Sequence, residues 1–153
     1  MSAPIWVCGE VLVDLLPGSD GGKQVAVIGG GPANTAKALA RLGHQVEFID
    51  GISTDHFGRS AQDELRKDGV GLSLSKLSDK PTCQAIVNLD ENGSAQYEFL
   101  IDGTATFDFS RSWLPEGHPS VLHIGTLATV IEPGALELFE WAKKISEIGR
   151  AHV

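Results

Sequence analysis

Three features of this chain have residue types and spacing that could do chemistry. Asp14, near the end of an apolar run, offers two carboxylate acceptors. Gly29-Gly30-Gly31-Pro32 offers backbone without side chains, so its N–H groups can approach a ligand closely. Asn34, in the first turn of the helix that Pro32 opens, carries both a donor and an acceptor. A carboxylate, an amide and bare backbone converging at one sheet edge suit the vicinal hydroxyls of a sugar. None of these groups is a cation, so an anionic ligand would need neutralising from elsewhere.

The same glycines support a second reading. Val25-Ala-Val-Ile-Gly-Gly-Gly-Pro-Ala33 has the strand, glycine turn and helix start that hold a dinucleotide pyrophosphate in flavin or nicotinamide enzymes. Asp50, about 20 residues on, is then the acid expected on the ribose. Against this, Asn34 stands where the third glycine of the fingerprint lets the helix press on the strand. The Gly9-Glu10…Asp14 strand also precedes the motif, whereas a dinucleotide fold usually starts with it.

The elements that must position these groups follow from apolar periodicity. Ile5 to Val7 and Val11 to Leu15 read as extended, separated by Gly9. Val25 to Ile28 is a short apolar run, and Ala36, Leu39 and Ala40 give the following helix its stripe until Gly43. Val46 to Ile49 is a strand ending at Asp50-Gly51, and Asp55 caps a helix with Phe57, Ala61 and Leu65 on one face. Alternation on both sides of Asn92-Gly93 predicts a hairpin, which in an α/β pattern implies a small side sheet. Val121 to Ile124 is a further strand, and Pro133 opens a helix carrying Leu138, Ala142 and Ile145. The expected fold class is α/β, a mostly parallel sheet flanked by helices.

Composition narrows the function classes. Of 153 residues, 42% are hydrophobic and 21% charged, ordinary globular usage. A chain of this size buries about 70% of its unfolded surface, enough for a core. A formal charge of −8 without a basic cluster argues against nucleic acid or anionic membrane as a partner. No apolar run approaches the ~20 residues of a membrane span, and no secretory signal is visible. Cys8 and Cys83, far apart in strand-like surroundings, read as core thiols of a reducing, cytoplasmic compartment. No metal site is expected, because the histidines lack ligand spacing.

Taken in order, the motifs resemble the N-terminal half of the ribokinase/PfkB carbohydrate kinases, fructokinases above all. They are Gly9-Glu10-x-x-x-Asp14, Gly29-Gly30-Gly31-Pro32-Ala33-Asn34-x-Ala36, Leu42-Gly43, and Gly51-x-Ser53-x-Asp55-x-Phe57-Gly58. Thr82…Asp90-x-x-Gly93 and His123-x-Gly125 complete the series. The resemblance implies a Rossmann-like, ribokinase-like sheet with a small β lid, whose strands lie at about 23–28 and 82–101. It places sugar contacts at Asp14, Gly30, Gly31 and Asn34, with Phe99 of the lid packing on the sugar. It implies ATP and Mg²⁺, sometimes with a monovalent cation, and a homodimer through the lid. Many fructokinases carry an Arg after the second lid strand, where this chain reads Ile101-Asp102-Gly103-Thr104, so the sugar stays open.

The family's Gly-Ala-Gly-Asp helix opening, which supplies the anion hole and the catalytic Asp, has no counterpart here. The resemblance therefore implies the sugar-binding part of a kinase, at residues 1–147, inactive by itself. A non-catalytic sugar-binding protein and the dinucleotide enzyme are the alternatives. Ile148 to Val153 match the translation of a common sequencing adapter in one frame, so these six residues are expected to be read-through.

Overall fold

The computed structural model describes residues 3–19 and 22–150, with side chains up to Glu147. The expectation of read-through concerns Ile148 to Val153, whose side chains lie outside the described residues. In chain order the strands and helices are β1 (Ile5–Cys8), β2 (Leu12–Leu16), β3 (Val25–Gly29), α1 (Gly31–Arg41), β4 (Val46–Ile49), β5 (Gly51–Ser53) and α2 (His56–Lys67). Then come β6 (Lys76–Ser78), β7 (Gln84–Leu89), β8 (Ala95–Leu100), β9 (Val121–Ile124), a 3-10 turn (Leu127–Thr129) and α3 (Gly134–Arg150). The α/β class expected from periodicity is what the chain adopts.

β1 is the centre of a parallel sheet ordered β4-β1-β9. Its alternate residues serve opposite layers, as side chains on a strand must. Val7 packs in one cluster with Ala33 and Ala36 of α1 and with Ala61 and Leu65 of α2. Trp6 and Cys8 face the other way, toward Leu138, Trp141, Ala142 and Ile145 of α3. Trp6 and Trp141 stack with ring centroids 6.1 Å apart. A strand buried on both faces reads as a continuous apolar run, and Ile-Trp-Val-Cys is one. Cys8 and Cys83 are free and buried, as core thiols should be.

The second sheet runs β3-β2-β7-β8 and departs from the simplest sequence reading. Asp14 was expected at the end of a strand in the open parallel sheet. Instead its strand, β2, pairs antiparallel with β3 and parallel with β7. The cause lies at Gly9, which has φ +145° and no room for a Cβ against the Gly125 carbonyl. That turn sends the chain out of the parallel sheet after β1. The segments expected as lid strands fall in this second sheet, which β2 joins to the rest.

A third, two-stranded parallel sheet, β5-β6, was not anticipated. Asp50-Gly51 read as the end of a strand, but the chain continues directly into β5. There Gly58 of α2 sits so close to the Ser53 carbonyl that any side chain would collide. No helix among the described residues is long and apolar enough to cross a membrane.

Asp55 ties α2 to the start of β7. One carboxylate oxygen accepts the Gly58 N–H at 2.7 Å, capping the helix, and the Thr82 hydroxyl at 2.7 Å. The other accepts the Thr82 N–H at 2.8 Å. Burial opposes the charge, but these bonds outweigh it and hold the carboxyl below the usual range. A depressed native pKa gives stability that is present above the unfolded value and lost as pH falls through it. Asp55→Ala should therefore lower stability by about 1–2 kcal/mol, the value of a lost cap, at neutral pH. In urea titrations from pH 7 to 3, the variant should also show a shallower acid loss than the parent chain.

Candidate functional site

β3, β2, β7 and β8 place residues in rows across the second sheet, and residues in one row face one side. One such row is Val27, Asp14, Ala85 and Phe99. Asp14 is half-buried, and desolvation pushes its carboxyl up from the usual range. Its carboxylate lies directly over Gly29, where a Cβ would overlap it. Gly29 thus has a role the sequence reading missed, as the residue that makes room for the acid.

Gly29 leads straight into Gly30 and α1. Gly30 has φ +106° and lies against the Glu10 carbonyl, a conformation and a space that both demand glycine. No side chain caps α1, so the amides of its first turn remain available to a ligand. The Asn34 N–H closes the first helical bond to the Gly30 carbonyl at 2.9 Å. Its side chain is exposed. Solvent or a ligand can therefore satisfy its donor and acceptor.

Four of the five expected site residues, Asp14, Gly30, Gly31 and Asn34, come together around this turn. Phe99 does not adjoin them. It sits two strands from Asp14, about 10 Å away at ~4.8 Å per strand spacing, and is 44% exposed. It stacks on Tyr97 at 6.3 Å and shares the Asp14 side of the sheet.

The far wall of the site is Thr126, which the sequence reading also missed. Its Oγ1 and Cγ2 lie 3.1 and 3.3 Å from where a Gly31 Cβ would be. The signal was present in two quoted motifs, Gly9-Glu10 and His123-x-Gly125, because Glu10 bonds to Thr126. The combined group has a carboxylate, an amide, a hydroxyl and free backbone donors, but no cation. Such a set matches neutral hydroxyls better than phosphate. A separate cavity of about 280 Å³, lined by Lys80, Asp102, Thr104, Asp108 and Glu132, contains none of the expected residues.

The model of the pfkB family of carbohydrate kinases matches residues 4–150. The chain belongs to the pfkB family.

Relatives within the family agree. The chain is 34% identical to a fructokinase of Escherichia coli and 33% identical to one of Salmonella typhimurium. Each match covers 97% of this chain and 49% of the relative. A Vibrio cholerae fructokinase solved with fructose, ADP and calcium ion superposes with TM-score 0.83 at 28% identity, covering 96% of this chain and 48% of that one. The chain spans about half the length of the curated relatives it matches.

Membership of the pfkB family does not favour the dinucleotide reading, and the fold gives the reason. Among the described residues the strand before the glycines, β3, pairs only with β2, antiparallel, and lies outside the parallel sheet. Asp50, the acid expected on a ribose, is fully buried and bonded to Val11, Gly51 and Thr106.

The glycine geometry separates two kinds of requirement. Gly30→Ala meets both a positive φ and a collision with the Glu10 carbonyl. Gly43 also has positive φ, +89°, but has nothing within 4 Å of an added Cβ. Gly43→Ala should cost about 1 kcal/mol, the backbone part alone, and Gly30→Ala about 2–3 kcal/mol or more. Denaturant unfolding of both variants reads the difference.

Proposed function

We propose that this chain is the N-terminal, sugar-binding part of an ATP-dependent carbohydrate kinase. The observation that carries the reading is the Asp14 carboxylate seated over Gly29 at the uncapped start of α1. In this reading Asp14 accepts hydrogen bonds from adjacent sugar hydroxyls. Gly30 and Gly31 let the ligand reach the backbone, and Asn34 gives one donor and one acceptor. Phe99 covers an apolar face of the ring once the second sheet closes over it as a lid.

The residues present do not fit the phosphate donor. The charge in the site is negative, and no group of three or more potential metal ligands occurs among the described residues. We therefore assign ATP, Mg²⁺, any monovalent cation and the catalytic Asp to the half of the fold that lies outside this chain. This chain's contribution is to bind and orient the hydroxyl that attacks, and positioning is most of what phosphoryl transfer asks of a protein.

Relatives named fructokinases make a ketohexose the first substrate to test. Two further expectations belong to the same reading. β8 is a sheet edge exposing Tyr97, Phe99 and Leu100, a surface suited to a second copy of the chain. Two buried free thiols suit a reducing, cytoplasmic setting.

Isothermal titration of the 153-residue chain with fructose, other hexoses and pentoses tests the proposal. One sugar should bind, and Asp14→Ala should weaken it about 10–100-fold, the value of hydrogen bonds to a charged group. Burial already disfavours the Asp14 charge, so the variant should stay folded. With ATP and Mg²⁺ added, no sugar phosphate should form. Equal binding by parent and variant, or phosphorylation by the chain alone, contradicts the proposal.

A further inference from the structure

Glu10 has no role in the sugar contacts above, yet it is among the most completely bonded side chains in the molecule. The residue is 1% exposed. One carboxylate oxygen accepts the Thr126 and Ala128 N–H groups, each at 3.0 Å. The other accepts the Leu127 N–H at 3.1 Å and the Thr126 hydroxyl. These donors belong to three consecutive residues at the entry of the 3-10 turn. A turn's first amides lack partners of their own, and a negative charge suits them.

The same residue reaches the glycine turn from the other side. The Glu10 carbonyl lies against Gly30, while Thr126, held by the Glu10 carboxylate, lies against Gly31. Main chain and side chain of one residue therefore touch, directly or through one neighbour, both glycines of the proposed cradle. Glu10 itself is buried behind them and does not reach the open face.

Resting on the sugar-binding reading above, we infer that Glu10 is a positioning residue of the site. It holds Thr126 against Gly31 and so sets the gap between the first turn of α1 and the opposite wall. A carboxylate is needed because both oxygens must accept. In Glu10→Gln an amide nitrogen would confront two N–H donors, or an N–H and a hydroxyl.

The test compares the whole 153-residue chain with Glu10→Gln and Thr126→Val. The second variant keeps the shape beside Gly31 and removes one bond to Glu10. Amide ¹H–¹⁵N shifts report the geometry and a titration with fructose reports the function. Positioning predicts that Glu10→Gln moves the Gly30 and Gly31 amides and weakens sugar binding about tenfold, with a smaller change in the same direction for Thr126→Val. A turn cap with no part in the site would move only the Thr126, Leu127 and Ala128 amides, leaving Gly30, Gly31 and sugar affinity unchanged. That result overturns the inference. If Glu10→Gln does not fold, Thr126→Val decides by the same glycine shifts. If the parent chain binds no sugar, the sugar-binding reading fails by itself, and the glycine shifts still decide whether Glu10 positions the turn.

Discussion

The bend between β1 and β2 is held from two sides by buried carboxylates, and the arrangement of the second sheet depends on it. Glu10 reaches forward to the 3-10 turn after β9. Asp50 reaches in from the end of β4, accepting the Val11 N–H at 2.9 Å and the Thr106 hydroxyl at 2.5 Å. Its second oxygen accepts the Gly51 N–H at 2.8 Å. Two short side chains thus join β4, the bend, the segment after β8 and the start of the connection to α3.

The two acids respond to burial in opposite ways. Desolvation raises both, but the donors around Glu10 outweigh it and hold that carboxyl below its usual range. Around Asp50 they do not: burial pushes its carboxyl well up, and the nearby Glu10 charge adds to the rise. Linkage gives opposite signs. Glu10 favours the folded state above its unfolded pKa and loses that contribution as pH falls. Asp50 favours it in acid and loses its contribution as pH rises toward its raised value.

How much was legible depends on how local each cause is. α1, α2 with its Asp55 cap, β4, β9 and the Asn92-Gly93 hairpin all announce themselves within a few residues through period, cap or turn. β5 and β6 are three residues each and too short to show a period. The departure of β2 from the parallel sheet hinges on Gly9 meeting Gly125, a contact across most of the chain. Among the site residues, the Gly30 turn and Asn34 at the helix start could be placed from the motif. Gly29 as the seat of Asp14 could not, because it depends on β2 and β3 pairing in one register. Glu10 and Thr126 stood in separate motifs, and only the fold joins them.

In the proposed reading, the Gly29–Gly31 turn carries a formed sugar cradle. The most direct measurement is a crystal structure of the chain soaked in fructose. The account predicts density for the sugar between Asp14, the first turn of α1 and Thr126, with hydroxyls on the Asp14 carboxylate and the Asn34 amide. Sugar bound instead in the cavity between Lys80 and Glu132, with the glycine turn open to solvent, would contradict it.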